Sequence, residues 1–239
     1  MEHLEDLRRM LFGVLISLGV GVAVALPFAP QALGLLKQPL RTVTSTPDLF
    51  LRSLEVGGAF SLSLQIAFWM GLLISAPVMI YFIGAFLFPG LTQREQRVVM
   101  RSSGFAALLF LIGVFVGFYW ILPLSLKMMF GLHQWMGITA EWTVTSYVGF
   151  SIQLLLGFGL AFELPVLVLV LGKLGVFNSA QLREKRKFVI LMAFVIGALL
   201  TPPDVTSQLM MAIPLIGLFE MCIWLLWWEE KKKSIDKQS

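Results

Sequence analysis

One cysteine and two histidines in 239 residues leave no internal disulfide and too few ligands for the usual zinc sites. Redox and metal chemistry are therefore not expected, and no cofactor is called for. Charge is also scarce. Charged residues make up 13% of the chain, about half the roughly one-quarter share typical of soluble domains. No GxxxxGK[ST] loop offers a cradle for nucleotide phosphates, and no GxSxG turn presents a nucleophile. No aspartate lies deep in an apolar run to form an intramembrane acid pair. The chain does not read as an enzyme, and if it drives transport the energy comes from a partner or from the membrane potential and proton gradient. No repeat period or low-complexity tract is visible.

What the chain does have is hydrocarbon. Hydrophobic residues reach 58% and mean hydropathy is +0.86, the composition of an all-α integral membrane protein. Apolar runs predict six spans, at 10–29, 59–88, 102–123, 146–172, 187–201 and 207–228, in a single polytopic domain covering 1–239. A helix needs roughly 20 residues to cross a hydrocarbon core about 30 Å thick. The fifth run, Phe188 to Leu200, reaches only about 20 Å at 1.5 Å per residue, so the bilayer is expected to be thin there.

Orientation follows from the basic residues. Of the 18, the segments after spans one, three and five keep only Lys37, Arg41, Arg52 and Lys127. The rest cluster in the alternate segments, at Arg8 and Arg9, around Arg94 to Arg101, at Lys173 and Arg183 to Lys187, and from Lys231 to Lys237. Both termini are expected on the cytoplasmic side. The outer loop 30–58, carrying Pro30, Pro39 and Pro47, reads as a cap without long helices. Trp135 and Trp142 in the second outer loop, and Trp224, Trp227 and Trp228 at the end of the last run, read as interface anchors. The apolar start with small residues at VAVALPFA also resembles a secretory signal, and retention as an uncleaved span is the preferred reading.

Polar residues inside the spans are the functional candidates, because a carboxylate at mid-membrane costs at least a few kcal/mol. These are Gln65, Gln153, Glu163 and Glu220, with Thr201, Asp204 and Gln208 at the short connection before the last run. Pro165 follows Glu163 and cannot donate to the carbonyl of Ala161, so a bend with a free acceptor is expected beside the glutamate. An internally satisfied hydrogen bond explains Glu163 or Glu220 equally well at this point. Gly113 and Gly117 form a GxxxG, for which ordinary internal packing is the better reading.

Three stretches together carry a resemblance: HLEDLRRML (His3 to Leu11), FLFPGLTQRE (Phe86 to Glu95), and FELPVLVLVL with LLTPPDVTSQLMMAIPL (Phe162 to Leu171, Leu199 to Leu215). They resemble the TatC family, the multispanning subunit of the twin-arginine protein translocase. The resemblance implies six helices in a concave, cupped shape with short fifth and sixth members, both ends cytoplasmic in the inner membrane. It also implies a receptor for twin-arginine signal peptides that works with single-span TatA and TatB partners to export folded proteins on the proton-motive force. A homo-oligomer within that complex is expected, and no nucleic-acid partner.

By family position, Glu95 and an acid of the N-terminal motif would bind the two arginines. A planar guanidinium takes a carboxylate bidentately where lysine cannot. The N-terminal position holds Asp6 where the family usually has glutamate, and Glu5 stands beside it. Phe86 and Pro89 would shape the loop carrying Glu95. Glu163, Thr201, Gln208 and Glu220 would meet partner subunits or the inserted peptide, while Pro39, Pro165 and Asp204 would be structural. The competing classes are a proton- or ion-coupled transporter using Glu163 as its coupling carboxylate, and a scaffold for other membrane subunits.

Overall fold

The structure, a computed structural model, describes residues 2–44, 47–54, 56–86, 93–173, 175, 178–200 and 205–236. It is almost entirely helical. Helix α1 (Glu2–Ala25) passes through a 3-10 turn at Leu26–Phe28 into α2 (Ala29–Leu36), and a second 3-10 turn at Pro39–Thr42 closes this arm. A single turn α3 (Pro47–Phe50) leads into the short strand β1 (Leu51–Arg52). Prolines sit in the first turn of each short helix of this loop, where the missing N–H costs nothing. The segment is built of short helical pieces, with no long helix.

Helix α4 (Gly58–Phe86) runs unbroken over 29 residues with Pro77 inside. It lies antiparallel to α1 in very close contact. An added Cβ at Gly21 would stand 2.5 Å from the Gly71 carbonyl oxygen, and one at Gly71 would stand 2.5 Å from the Val22 nitrogen. Farther along, Gly13 faces the Phe82 ring.

Helix α5 (Gln93–Val116) continues through a π turn, Gly117–Ile121, into α6 (Leu122–Trp135). Gly113 and Gly117 let α5 press against α7 (Val144–Ala161): a Cβ at Gly113 would lie 2.6 Å from the Phe158 carbonyl oxygen. The GxxxG is thus consumed by packing inside the chain. Thr143 caps α7, its hydroxyl accepting from the Ser146 N–H at 3.2 Å.

Strand β2 (Trp142–Thr143) pairs in parallel with β1, Leu51 opposite Trp142 and Arg52 opposite Thr143. Arg52 adds an ion pair to Glu141 at 3.1 Å, and the Tyr147 hydroxyl donates to the Leu36 carbonyl. Phe50 stacks edge-on against Trp142 with centroids 5.0 Å apart. The ring of Trp142 is thus packed against the loop that carries β1. Trp135 remains open.

After α8 (Leu164–Lys173), a one-and-a-half-turn helix α9 (Ser179–Glu184) with an Asn178–Gln181 capping box leads into α10 (Arg186–Leu200). At 15 residues α10 spans about 22 Å, as short as the sequence implied. Among the described residues, five stretches are long and apolar enough to cross a membrane: 5–42, 58–83, 104–135, 144–172 and 211–232. Helix α10 falls below that length, so the count from structure is five where the apolar runs predict six.

The last helix differs from expectation more plainly. Helix α11 (Val205–Asp236) has 32 residues and is about 48 Å long, so the sixth helix is not short. Glutamate and lysine are good helix formers, and Glu229 to Lys233 carry the helix past the apolar run. Phe110, Phe158, Ile152 and Met211 are among the fully buried residues of the main core, which joins α4, α5, α7 and α11.

Candidate functional site

The break in the fourth span organises the polar chemistry. Helix α7 stops at Ala161, Phe162 and Glu163 form a turn, and α8 restarts at Leu164. Glu163 N–H reaches back only three residues, to the Leu160 carbonyl at 3.1 Å, while its own carbonyl accepts from Leu167 at 3.0 Å. Pro165 leaves the Ala161 carbonyl without a donor four residues on. The break is clamped from two sides. Ala161 is buried with Ala193, Ala212 and Leu215 of α10 and α11, and Phe162 packs onto that cluster. From the other side Gly113 of α5 comes within 2.9 Å of the Phe162 side chain, measured from an added Cβ.

In that apolar setting Glu163 Oε1 is buried and has no hydrogen-bond partner among the described residues. Leaving such an oxygen unmatched costs about 1–3 kcal/mol.

Two of the other candidates, Glu220 and Gln208, are satisfied internally. Glu220 Oε2 takes an ion pair from Arg186 at 2.7 Å, joining α11 to the first residue of α10, with both side chains about half exposed (45% and 46%). Gln208 donates from Nε2 to the Phe194 carbonyl at 2.8 Å, stitching the same two helices near the Glu163 break. Arg186 was not singled out in sequence; the one available cue was that it opens the short fifth run. Thr201 and Asp204 lie outside the described residues.

Gly13 faces Phe82 and Gly21 faces Gly71, so the beginning of α1, with its acids, lies toward the end of α4. There Glu5 is exposed and Asp6 half-buried. Arg8 stands over the Phe12 ring at 5.8 Å. Glu95 is the third residue of α5, but its side chain and that of Phe86 lie outside the described residues, as does Pro89. Pro39 is buried at the start of its 3-10 turn.

Long apolar helices, one of them broken beside a proline, define a multi-pass membrane protein. The chain belongs to the TatC family: the family model described as "Sec-independent protein translocase protein (TatC)" matches residues 2–214. The protein of that name from Aquifex aeolicus is 36% identical over 238 residues, covering 99% of this chain and 98% of its own. The Escherichia coli K12 protein is 33% identical over 221 residues, 92% of this chain and 85% of its own. A crystal structure of a "Twin Arginine Translocase Receptor- TatC" in DDM superposes with a TM-score of 0.85 at 35% identity, covering 94% of this chain and 99% of that one. The protein is a subunit of a Sec-independent protein translocase.

Proposed function

We propose that this chain is the signal-peptide receptor and core subunit of a twin-arginine translocase, exporting folded proteins across the cytoplasmic membrane on the proton-motive force. The observation that supports the reading is the antiparallel register of α1 and α4, which sets the Glu5–Asp6 end of α1 toward the end of α4, the helix that precedes the α5 start bearing Glu95. Two carboxylates from different helices at one membrane end suit two adjacent guanidiniums, each bound bidentately.

Six crossings with both termini cytoplasmic place that end on the side where a signal peptide arrives, in keeping with the basic segments. The unmatched Glu163 oxygen supports a second contact, a hydrogen bond from a polar residue in the transmembrane segment of a TatA- or TatB-type subunit or of the inserted signal peptide. Thr201 and Gln208 would extend that contact. Copies of the chain assemble into the working complex.

The test is binding of a twin-arginine signal peptide and its twin-lysine version to the purified protein in lipid nanodiscs, each repeated with Glu95→Ala. Tighter binding of the arginine peptide, abolished by the substitution, supports the receptor reading. Equal binding of both peptides by the unmodified protein removes it.

A further inference from the structure

Helix α9 and the start of α10 turn back along α11 instead of standing clear of it. Ser179 donates from both its backbone N–H, at 2.8 Å, and its hydroxyl to the Glu230 carboxylate. Leu182 packs on the cluster of Val168, Cys222 and Leu226. Arg186 then reaches Glu220. Between Ser179 and Arg186 the chain therefore travels from the level of Glu230 to that of Glu220. Trp228 lies eight residues beyond Glu220, so α10 begins about 12 Å inside the tryptophan-bearing end of α11.

This recessed segment reads Arg183, Glu184, Lys185, Arg186, Lys187, and all five are exposed. Glu220 answers only Arg186. Among the described residues no ion pair engages Arg183, Lys185 or Lys187. Helix α10 has no acidic residue in its first turn, so Arg186 and Lys187 face the positive end of its dipole, an unfavourable placement. An anion at this point relieves both costs. The apolar surface beyond it says what kind of anion. Phe188, Leu191 and Val195 follow Lys187 at helical spacing and are 61%, 60% and 43% exposed, a hydrocarbon stripe that starts at the cations and continues into the membrane.

We propose that this corner binds an anionic phospholipid, its phosphate held by Arg183, Lys185 and Lys187 and its acyl chain laid along Phe188, Leu191 and Val195. The recess draws the headgroup inward where α10 is too short to span the full hydrocarbon thickness, so lipid and short helix meet at matched depth. The inference rests on the membrane placement of the chain and is independent of signal-peptide recognition at Glu95.

The experiment titrates phosphatidylglycerol and, separately, phosphatidylcholine into the full-length protein in neutral detergent, with bound lipid counted by native mass spectrometry. Phosphatidylglycerol is expected to bind preferentially. Lys187→Gln should weaken it about fivefold and the Arg183→Gln/Lys185→Gln/Lys187→Gln variant about 100-fold, with phosphatidylcholine unaffected. Lys127→Gln should change nothing. Leu191→Asn should weaken the lipid while leaving any binding of inorganic phosphate alone. Equal affinity for the two lipids, or phosphatidylglycerol binding unchanged in Lys187→Gln, overturns the proposal. So does displacement of the lipid by inorganic phosphate at comparable concentration, which would mark a plain anion site.

Discussion

Replacing Gly21 with alanine inserts a methyl group 2.5 Å from the Gly71 carbonyl oxygen and 3.2 Å from its carbon. Carbon–carbon contacts settle at about 3.5–4.0 Å, so α1 and α4 must separate by roughly 1 Å. The obstacle is backbone, and no rotamer change can relieve it. Overpacking of this kind costs about 1–3 kcal/mol, which in a chain of this size lowers a melting midpoint by about 2–10 °C. Gly71→Ala meets the same wall from the opposite side and should cost a similar amount. Because the first methyl already opens the interface, the double variant should lose much less than the sum. Gly13→Ala meets a Phe82 ring, which can move, and should fall between. Gly19→Ala finds nothing within 4 Å and should be neutral or stabilising by up to about 1 kcal/mol through helix propensity. Thermal unfolding of the five proteins in one detergent, followed by size-exclusion monodispersity, reads this series. If Gly21→Ala melts like Gly19→Ala, or if the double variant is strictly additive, the close crossing of α1 and α4 is wrong.

Glu163→Leu should raise thermal stability by about 1–3 kcal/mol by removing an unmatched buried oxygen, and should reduce crosslinking to partner transmembrane segments and export of a twin-arginine reporter; crosslinking and export unchanged in Glu163→Ala or Glu163→Gln would return the residue to a structural role. The Arg186–Glu220 pair, half exposed, should show a coupling of only about 0.5–1 kcal/mol in a double-alanine cycle measured by thermal denaturation. Glu141→Ala should speed amide exchange at Leu51–Arg52 and Trp142–Thr143 with a global stability change of about 1 kcal/mol or less, since it removes one exposed ion pair from a short strand contact.

Features encoded by local chemistry were readable from the chain alone. The helix break at Phe162 and Glu163 follows from Pro165, the chopped 30–58 loop from Pro30, Pro39 and Pro47, and the short fifth helix from the length of its apolar run. What resisted reading depends on neighbours far apart in sequence. Gly21 and Gly71 belong to no shared motif; only the crossing of two helices makes them a pair. Glu163 and Glu220 look alike as isolated carboxylates, and it is Arg186, 34 residues before Glu220, that separates one from the other. The length of α11 is not legible in its apolar run, 207–228, because glutamate and lysine continue a helix readily beyond it.

The strand contact between β1 and β2 also sets an order of events during synthesis. Leu51 cannot meet Trp142 until α4, α5 and α6 have all been made. The α1–α4 hairpin can close first, being adjacent in the chain, whereas the β1 loop must stay unlatched until the residues just before α7 have been made. A chain halted at residue 135 should therefore hold its first hairpin yet leave the Leu51–Arg52 edge open, and protease accessibility of that edge would time the moment at which the two strand-bearing loops lock together.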